Sequence, residues 1–442
     1  MTFDLDDLRR RAPWLFAEAL GACIVGSTAL AEACRRAGVP GPRAQDVDFA
    51  WALDPDGGEA LLRQHGLYCA TTPHNRARGT LAFKLDGDRF EITTLRGDAP
   101  AGASLQERIE LDLTRRDMTV GALAWRLGDD VIVDPLGGLE DWRAGRVVAC
   151  GDPAERVAEH AVRLLRYYRR THEWGFELEP RIRRLRADPH LLAQVPAEAV
   201  SAELRAALLR CASPGRFFVE LSEVGALQAV APELAPQFDG RPAGPLRHHP
   251  EVSQALHLLL ALEWAASRSR GLGDSDRLAV MTSVLVHDLG KNTTPSAEWP
   301  SHHGHEHAGL PLIDAFFERL PSLGDARARR LARAVCALHL TARALPELRP
   351  GTLATLYEDW FKWNAFPVDL FALAVAADLG GRLDAGNDGE RALAQVTASV
   401  HWLRDRCGSV DAAALWQRHH GDRAAFARAL HEERARALRQ RA

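Results

Sequence analysis

The spacing of apolar positions changes near residue 150. Before it, short runs dominate. Residues 1–20 carry helical spacing and predict a short helix. Cys23-Ile24-Val25 predicts a strand that closes on Gly26-Ser27 and leads into a helical stretch, and AQDVDFAW (44–51) predicts a second strand. LAFKL and RFEITTL flank Asp86-Gly87-Asp88, a hairpin signal. Residues 104–126 read as helix, and DVIVDPLGG (130–138) as a strand ending in a Pro-Gly turn. From about residue 153 strand signals nearly vanish, and Leu, Ala and Arg recur at helical spacing between prolines and glycines. The pattern is α+β: a mixed sheet with helices, then an all-α remainder. One boundary falls near 150, and a second in PQFDGRPAGPLRHHP (236–250), rich in Pro and Gly. This predicts three parts, 1–150, 151–245 and 246–442.

A chain of 442 residues accommodates two to four domains. Its 46% apolar and 26% charged content is ordinary for a soluble globular protein. A net charge of −4 does not mark a nucleic-acid binder, but the basic charge is uneven. Lysine occurs only at Lys84, Lys291 and Lys362, and arginines crowd the stretch 156–186 at Arg163, Arg166, Arg169, Arg170, Arg181, Arg183 and Arg184. Such a face can track a phosphate backbone, or it can be solvated and paired with nearby glutamates. No run approaches the roughly 20 apolar residues of a membrane span, and the start lacks the apolar core of a signal peptide. Seven scattered cysteines without a C-x-x-C predict reduced thiols and a cytoplasmic protein.

Asp46 and Asp48 are the first candidates for chemistry. At i and i+2 on a strand they share a face, with Val47 turned away. Two hard oxygen ligands suit Mg²⁺. A strand, a Gly-Ser turn, a helix and a D-x-D strand form the metal-holding core of nucleotidyltransferases, although two aspartates alone also fit a surface turn. In RFEITTL, Phe90 and Ile92 share one face, which leaves Glu91 on the other, aimed across the sheet toward Asp46 and Asp48.

Five strings then follow in order: RFEITTLR (89–96), LDLTRRDMTVGALAW (111–125), VDPLGGLEDW (133–142), EHAVRLLRYYRR (159–170) and FFVELSEVGALQAVAPEL (217–234). This order resembles the tRNA nucleotidyltransferase (CCA-adding) family of the bacterial and eukaryotic type, over most of the chain. The resemblance implies a polymerase-β-like head, a helical neck and body, and a grip on tRNA. It implies Asp46 and Asp48 as metal ligands for Mg²⁺; Glu91, placed by strand parity, is the third candidate catalytic carboxylate and equally fits an ordinary exposed strand residue. Gly26, Ser27, Arg115, Arg116, Asp117, His160, Arg163 and Arg166 become the nucleotide-binding set, with CTP, ATP and the tRNA 3′ end as partners. The chain departs from the family in three places. GSTALAEA (26–33) lacks the usual arginine and aspartate, Gly121 replaces an asparagine, and the neck motif E-D-x-x-R carries His160 in place of its aspartate. An imidazole presents a different hydrogen-bonding edge from a carboxylate, so ordinary base selection is in question.

The second half is rich in histidine. His257 precedes His287-Asp288 in VLVHDLGK, and HHGHEHAG (302–309), His339 and Asp378 follow. The order H…HD…D resembles HD-domain phosphohydrolases, and most closely the HD domain appended to one branch of bacterial CCA-adding enzymes. It implies His257, His287, Asp288 and Asp378 as ligands to a divalent transition metal or Mg²⁺ in a centre that hydrolyses phosphate esters. His303, His305 and His339 are candidates for a second ion or for substrate phosphate, and His248, His302 and His307 are read as bystanders. The rival reading is a metal-dependent phosphohydrolase whose head has lost activity or changed specificity.

Overall fold

The computed structural model describes residues 4–43, 47–97, 99–363, 365–419 and 421–439. They form two compact units, Met1–Leu185 and Arg186–Ala442.

The first unit is built on a six-stranded mixed sheet of β1 (Cys23–Val25), β2 (Asp48–Trp51), β3 (Thr80–Leu85), β4 (Asp88–Thr94), β5 (Ala124–Arg126) and β6 (Ile132–Val133). Their order is β3-β4-β2-β1-β5-β6, with β2 and β4 parallel and the other pairs antiparallel. The β3–β4 hairpin turns on Asp86 and Gly87, both at positive φ (51° and 93°), as a two-residue hairpin of primed type requires. Helix α1 (Ser27–Arg36) follows β1 directly. Helix α2 (Leu105–Thr114) opens with a capping box between Ser104 and Glu107. It buries Ile109 and Leu113 against Cys23, Val25, Ala50 and Ala124, all on one face of the sheet.

Two sequence expectations are corrected in this unit. The helix expected over residues 1–20 ends at Arg11, where Pro13 starts a short 3₁₀ turn. The helix expected over 104–126 ends at Thr114, and residues 124–126 form β5 instead. Ala122, Leu123 and Ala124 are fully buried, and an all-apolar run of that length suits a central strand as well as a helix. The next helices are α3 (Pro153–Glu159) and α4 (Val162–Trp174).

The second unit is helical. Its core joins α5 (Gln254–Arg268), α6 (Asp274–Val286), α7 (His305–Arg319), α8 (Ala326–Ala342) and α9 (Val368–Gly380). Every residue of α6 from Leu278 to Val286 is buried, as is every residue of α9 from Leu370 to Asp378. These two helices are central, and the polar groups they carry lie inside the unit. Among the described residues no helix is long and apolar enough to cross a membrane.

Candidate active sites

In the first unit the register places the chemistry. Asp48 pairs with Val25, the residue before Gly26. Gly26 sits at φ 73°, ψ −138°, a conformation open to glycine, and a Cβ there would lie 3.7 Å from Asp48 Oδ2. The exposed carboxylate of Asp48 therefore faces the turn that opens α1, with Ser27 at the first helical position. Phe49 pairs with Ile92, so one step back along the parallel ladder Asp48 is level with Glu91 on the same face. Glu91 is ion-paired with Arg89 at 2.5 Å. Asp46 lies outside the described residues.

Asp48 stands on the sheet face that α2 covers, and α2 ends at Arg115-Arg116-Asp117. Buried Asp112 accepts from Arg116 (2.8 Å) and from the backbone N–H of Arg96 (2.9 Å), which ties the end of α2 to the chain leaving β4. Arg115 is exposed. Asp117 takes Arg163 Nε at 2.5 Å and also accepts from Arg166. Burial pushes the Asp117 carboxyl up, but the two guanidiniums outweigh it and hold its pKa below the usual range. Arg163 is itself 4% exposed and also donates to Glu159 Oε2 (2.6 Å), the Arg156 carbonyl (2.9 Å) and the Arg115 carbonyl (2.9 Å). Each nitrogen of its guanidinium therefore has a partner within the protein.

His160 ends α3 in an extended conformation (φ −149°, ψ 96°), so the neck is two helices rather than one. Its side chain is exposed, and partial burial together with the charge of Arg163 lowers its pKa. The nearby arginines are largely committed to acids: Arg169 and Arg170 to Glu173, and Arg181 to Glu179.

The two long motifs interlock. Thr119 Oγ1 donates to buried Asp141 (2.7 Å), and Asp141 also holds Arg146 (2.7 Å). Asp134 caps the helix Gly138–Arg143 through the N–H groups of Gly138 and Leu139. A Cβ on Gly138 would lie 2.1 Å from the Thr119 carbonyl oxygen, so glycine is the residue that permits this approach.

In the second unit His257, His287, Asp288 and Asp378 converge from α5, from the end of α6 and from α9, and all are buried. His257 Nε2 is 3.3 Å from Asp378 Oδ1 and 3.8 Å from Asp288 Oδ2, and His287 Nε2 is 3.3 Å from Asp288 Oδ2. His287 Nδ1 donates to the Val284 carbonyl (2.7 Å), so its Nε2 carries the lone pair. His257 Nε2, His287 Nε2, Asp288 Oδ1 and Asp378 Oδ2 are buried without a hydrogen-bond partner. Imidazole nitrogens and carboxylate oxygens gathered in one buried place are the ligand types that a divalent cation takes.

Burial pulls His257 down, but Asp378 and Glu251 outweigh it and lift it to about 9, while burial pushes His339 down to about 3. Burial raises Asp288 and Asp378, yet the surrounding cationic groups hold both carboxylates well below their ordinary range. Lys291 sits 2.7 Å from Asp288 Oδ2, and Arg343 3.2 Å from Asp378 Oδ2.

His305 and His339 are also buried beside Asp288, at 3.3 and 3.7 Å from its Oδ1. Gly290 makes this possible, since a Cβ there would lie 1.8 Å from the His305 carbonyl oxygen. His303, His307 and His248 are exposed. His302 is buried and bonds the Pro242 carbonyl through Nε2 (2.9 Å), which pins the loop 242–253. That loop delivers Glu251, whose Oε1 lies 2.7 Å from His249 Nδ1 and 3.0 Å from His257 Nδ1. Sequence reading passed over Glu251, His249 and Lys291, although HHPE and LGK stand beside the histidines that it chose. A pocket of about 540 Å³ opens over the centre, lined in part by His249, Lys291, His305, His339, Arg343 and Arg382.

The Poly A polymerase head domain family matches residues 35–148, and the HD domain family matches residues 255–359. The chain is 43% identical over 290 residues to the multifunctional CCA protein of Alkalilimnicola ehrlichii (64% of this chain, 66% of the relative). It is 37% identical over 345 residues to that of Methylococcus capsulatus (75% of each) and 34% over 348 residues to that of Nitrosomonas europaea (77% and 75%). In the first of these, as in the relatives from Nitrosospira multiformis and Hahella chejuensis, the match spans slightly less than two-thirds of the relative's length. A Bacillus stearothermophilus CCA-adding enzyme solved with CTP shares the fold at 20% identity (92% of this chain, 87% of that chain, TM-score 0.56). An apo CCA-adding enzyme does so at 14% (100% and 92%, TM-score 0.60). On the extended matches to the Methylococcus and Nitrosomonas proteins, the chain belongs to the multifunctional CCA protein family, with a Poly A polymerase head domain and an HD domain.

Proposed function

We propose a bifunctional cytoplasmic enzyme that adds CMP and AMP from CTP and ATP to the tRNA 3′ end and hydrolyses phosphate esters in its HD domain. The observation that carries the first activity is Asp48, placed beside the Gly26 turn on the face under the helix that ends in Arg115-Arg116-Asp117. The division into a head (1–150), a neck and body (151–245) and an HD part (246–442) belongs to the same reading.

In the head, the RNA 3′-hydroxyl oxygen bonds to the α-phosphorus as the bond to the pyrophosphate oxygen breaks, and the hydroxyl gives up its proton to water. Asp46 and Asp48, with Glu91 level with Asp48, would hold Mg²⁺, which when bound favours the deprotonated hydroxyl and neutralises the pyrophosphate. The Gly26-Ser27 turn leaves room for triphosphate at the start of α1. Arg115 meets phosphate oxygens directly. Arg116 and Arg163, committed to Asp112 and Asp117, hold the strand-and-helix junction in shape, while Arg166 and His160 face the incoming nucleotide. With a lowered pKa, His160 is neutral near pH 7 and offers one donor and one acceptor to a base edge.

In the HD domain His257, His287, Asp288 and Asp378 would hold a divalent ion, Mg²⁺ or a transition metal, which when bound supplies a nucleophilic water. Arg343, Arg382 and Lys291 give the pocket a cationic wall for a phosphate group.

The test is incubation with tRNA lacking its CCA end, Mg²⁺, CTP and ATP, with a phosphate-ester hydrolysis assay run in parallel. Wild type should extend the RNA, and Asp46→Ala with Asp48→Ala should not. No extension by wild type, or full extension by that variant, rejects the transfer reading.

A further inference from the structure

We infer that Arg96 and Arg78 bind the phosphate backbone of the RNA strand that the head extends. This rests on the transfer reading of the head and deepens it by naming where the strand lies.

Arg96 belongs to the chain leaving β4, and its backbone N–H is fixed to Asp112 at 2.9 Å. Gly97 follows at φ 104°, and a Cβ there would lie 3.1 Å from Arg115 Nε, so Arg96 stands beside Arg115. On the other side, the Gly79 carbonyl accepts from the N–H of Thr94 (2.9 Å), two residues before Arg96, and Arg78 directly precedes Gly79. The backbone thus sets Arg78, Arg96 and Arg115 in succession along one edge of the head. The charge of Arg78 reaches His160, and the charges of Asp117 and Arg163 reach Arg96, so this edge faces the neck.

All three side chains are exposed, and among the described residues none of the three guanidiniums has a hydrogen bond or an ion pair. The acids at this junction are taken. Asp112 holds Arg116, Asp117 holds Arg163 and Arg166, and Glu159 holds Arg156 and Arg163. Arg96 reaches solvent, yet the protein closes round it enough that burial pulls its pKa down, and Arg116 and Arg163 push the same way against Asp112 and Asp117. A cation beside further cations, with no acid of its own, is stabilised by an incoming anion. Guanidinium forks match phosphate oxygens in charge and geometry. A triphosphate is one compact cluster of charge, which the Gly26 turn and Arg115 receive. Separate unpaired cations that continue away from Arg115 instead suit a strand with one phosphate per nucleotide.

The experiment uses the full chain and tRNA lacking its CCA end, with no nucleotide present. RNA binding is followed by fluorescence anisotropy over a salt series, and CTP binding by calorimetry without RNA. Arg96→Gln and Arg78→Gln should each weaken RNA binding about tenfold. Each should also flatten the slope of log affinity against log salt by about 0.7–0.9, the share of one phosphate contact. CTP binding should be unchanged. Arg63→Gln removes the same charge from an exposed arginine paired with Glu59, and it should alter neither. Weaker CTP binding with RNA affinity intact would give the contact to the nucleotide and overturn the RNA assignment. Unchanged RNA affinity in both variants, or an equal loss in Arg63→Gln, would overturn it as well. RNA binding is read without turnover, so a chain that adds no nucleotide would reject the transfer reading while these variants still decide the RNA contact.

Discussion

Asp117 carries much of the head's local order on one carboxylate. It holds Arg163, which has 5% of its side chain exposed and would be left as a buried charge without its closest acid. Asp117→Asn should cost about 3 kcal/mol, the lower end of the range for breaking a buried pair, because Asp117 keeps 19% of its side chain exposed. A urea melt at pH 7 checks this. Its folded-state pKa is lowered, so the contribution is fully present above the unfolded value of about 3.9 and is lost as pH falls through the folded value. The gap between wild type and variant should therefore narrow below about pH 4. His160 is the residue at which sequence alone raised a question of specificity. In His160→Asp, the 3′ ends made with CTP alone, ATP alone and the mixture should show a wider nucleotide range than wild type, and unchanged ends would place the departure elsewhere. That Asp48 lies on a strand, and that His287 and Asp378 come together, followed from short strings. Glu251 was not, because its role depends on a loop folding back through His302 and Pro242, contacts that no local spacing announces.

At the scale of elements, period decides what a sequence reveals. The β3–β4 hairpin was readable because Asp86-Gly87 supplies two positive-φ positions between alternating strands. The end of α2 was not, because the apolar run Ala122–Ala124 has no period to separate strand from helix. The break between α3 and α4 lies at His160 with neither Pro nor Gly to mark it. Close element packing is equally hidden, and here it rests on glycines. Gly290→Ala would force a Cβ to within 1.8 Å of the His305 carbonyl oxygen and move α7 away from the His287-Asp288 turn. Overpacking of this kind costs about 1–3 kcal/mol. The variant should show a lowered melting temperature and less divalent metal retained after gel filtration. Full retention would mean that the turn relaxes without moving His305.

At the scale of the whole chain, two activities are assigned to residues in separate compact units, Asp48 in one and His287 in the other. They should therefore separate by mutation. His287→Ala should abolish phosphate-ester hydrolysis with nucleotide incorporation unchanged, and Asp48→Ala the reverse. Loss of both in either variant would mean that the activities are coupled. The α+β plan and the family were legible because the motifs fall in order along the chain. The convergence of His305 and His339 on Asp288 was only partly legible, because three helices and a turn must pack before those groups meet. The most direct measurement is a time course of CMP and AMP incorporation onto tRNA lacking its CCA end, comparing wild type with Asp48→Asn, which keeps the shape and removes the charge that would hold Mg²⁺. Extension by wild type and its loss in Asp48→Asn are expected. Equal rates in the two proteins, or no extension by either, would contradict nucleotide transfer at this carboxylate.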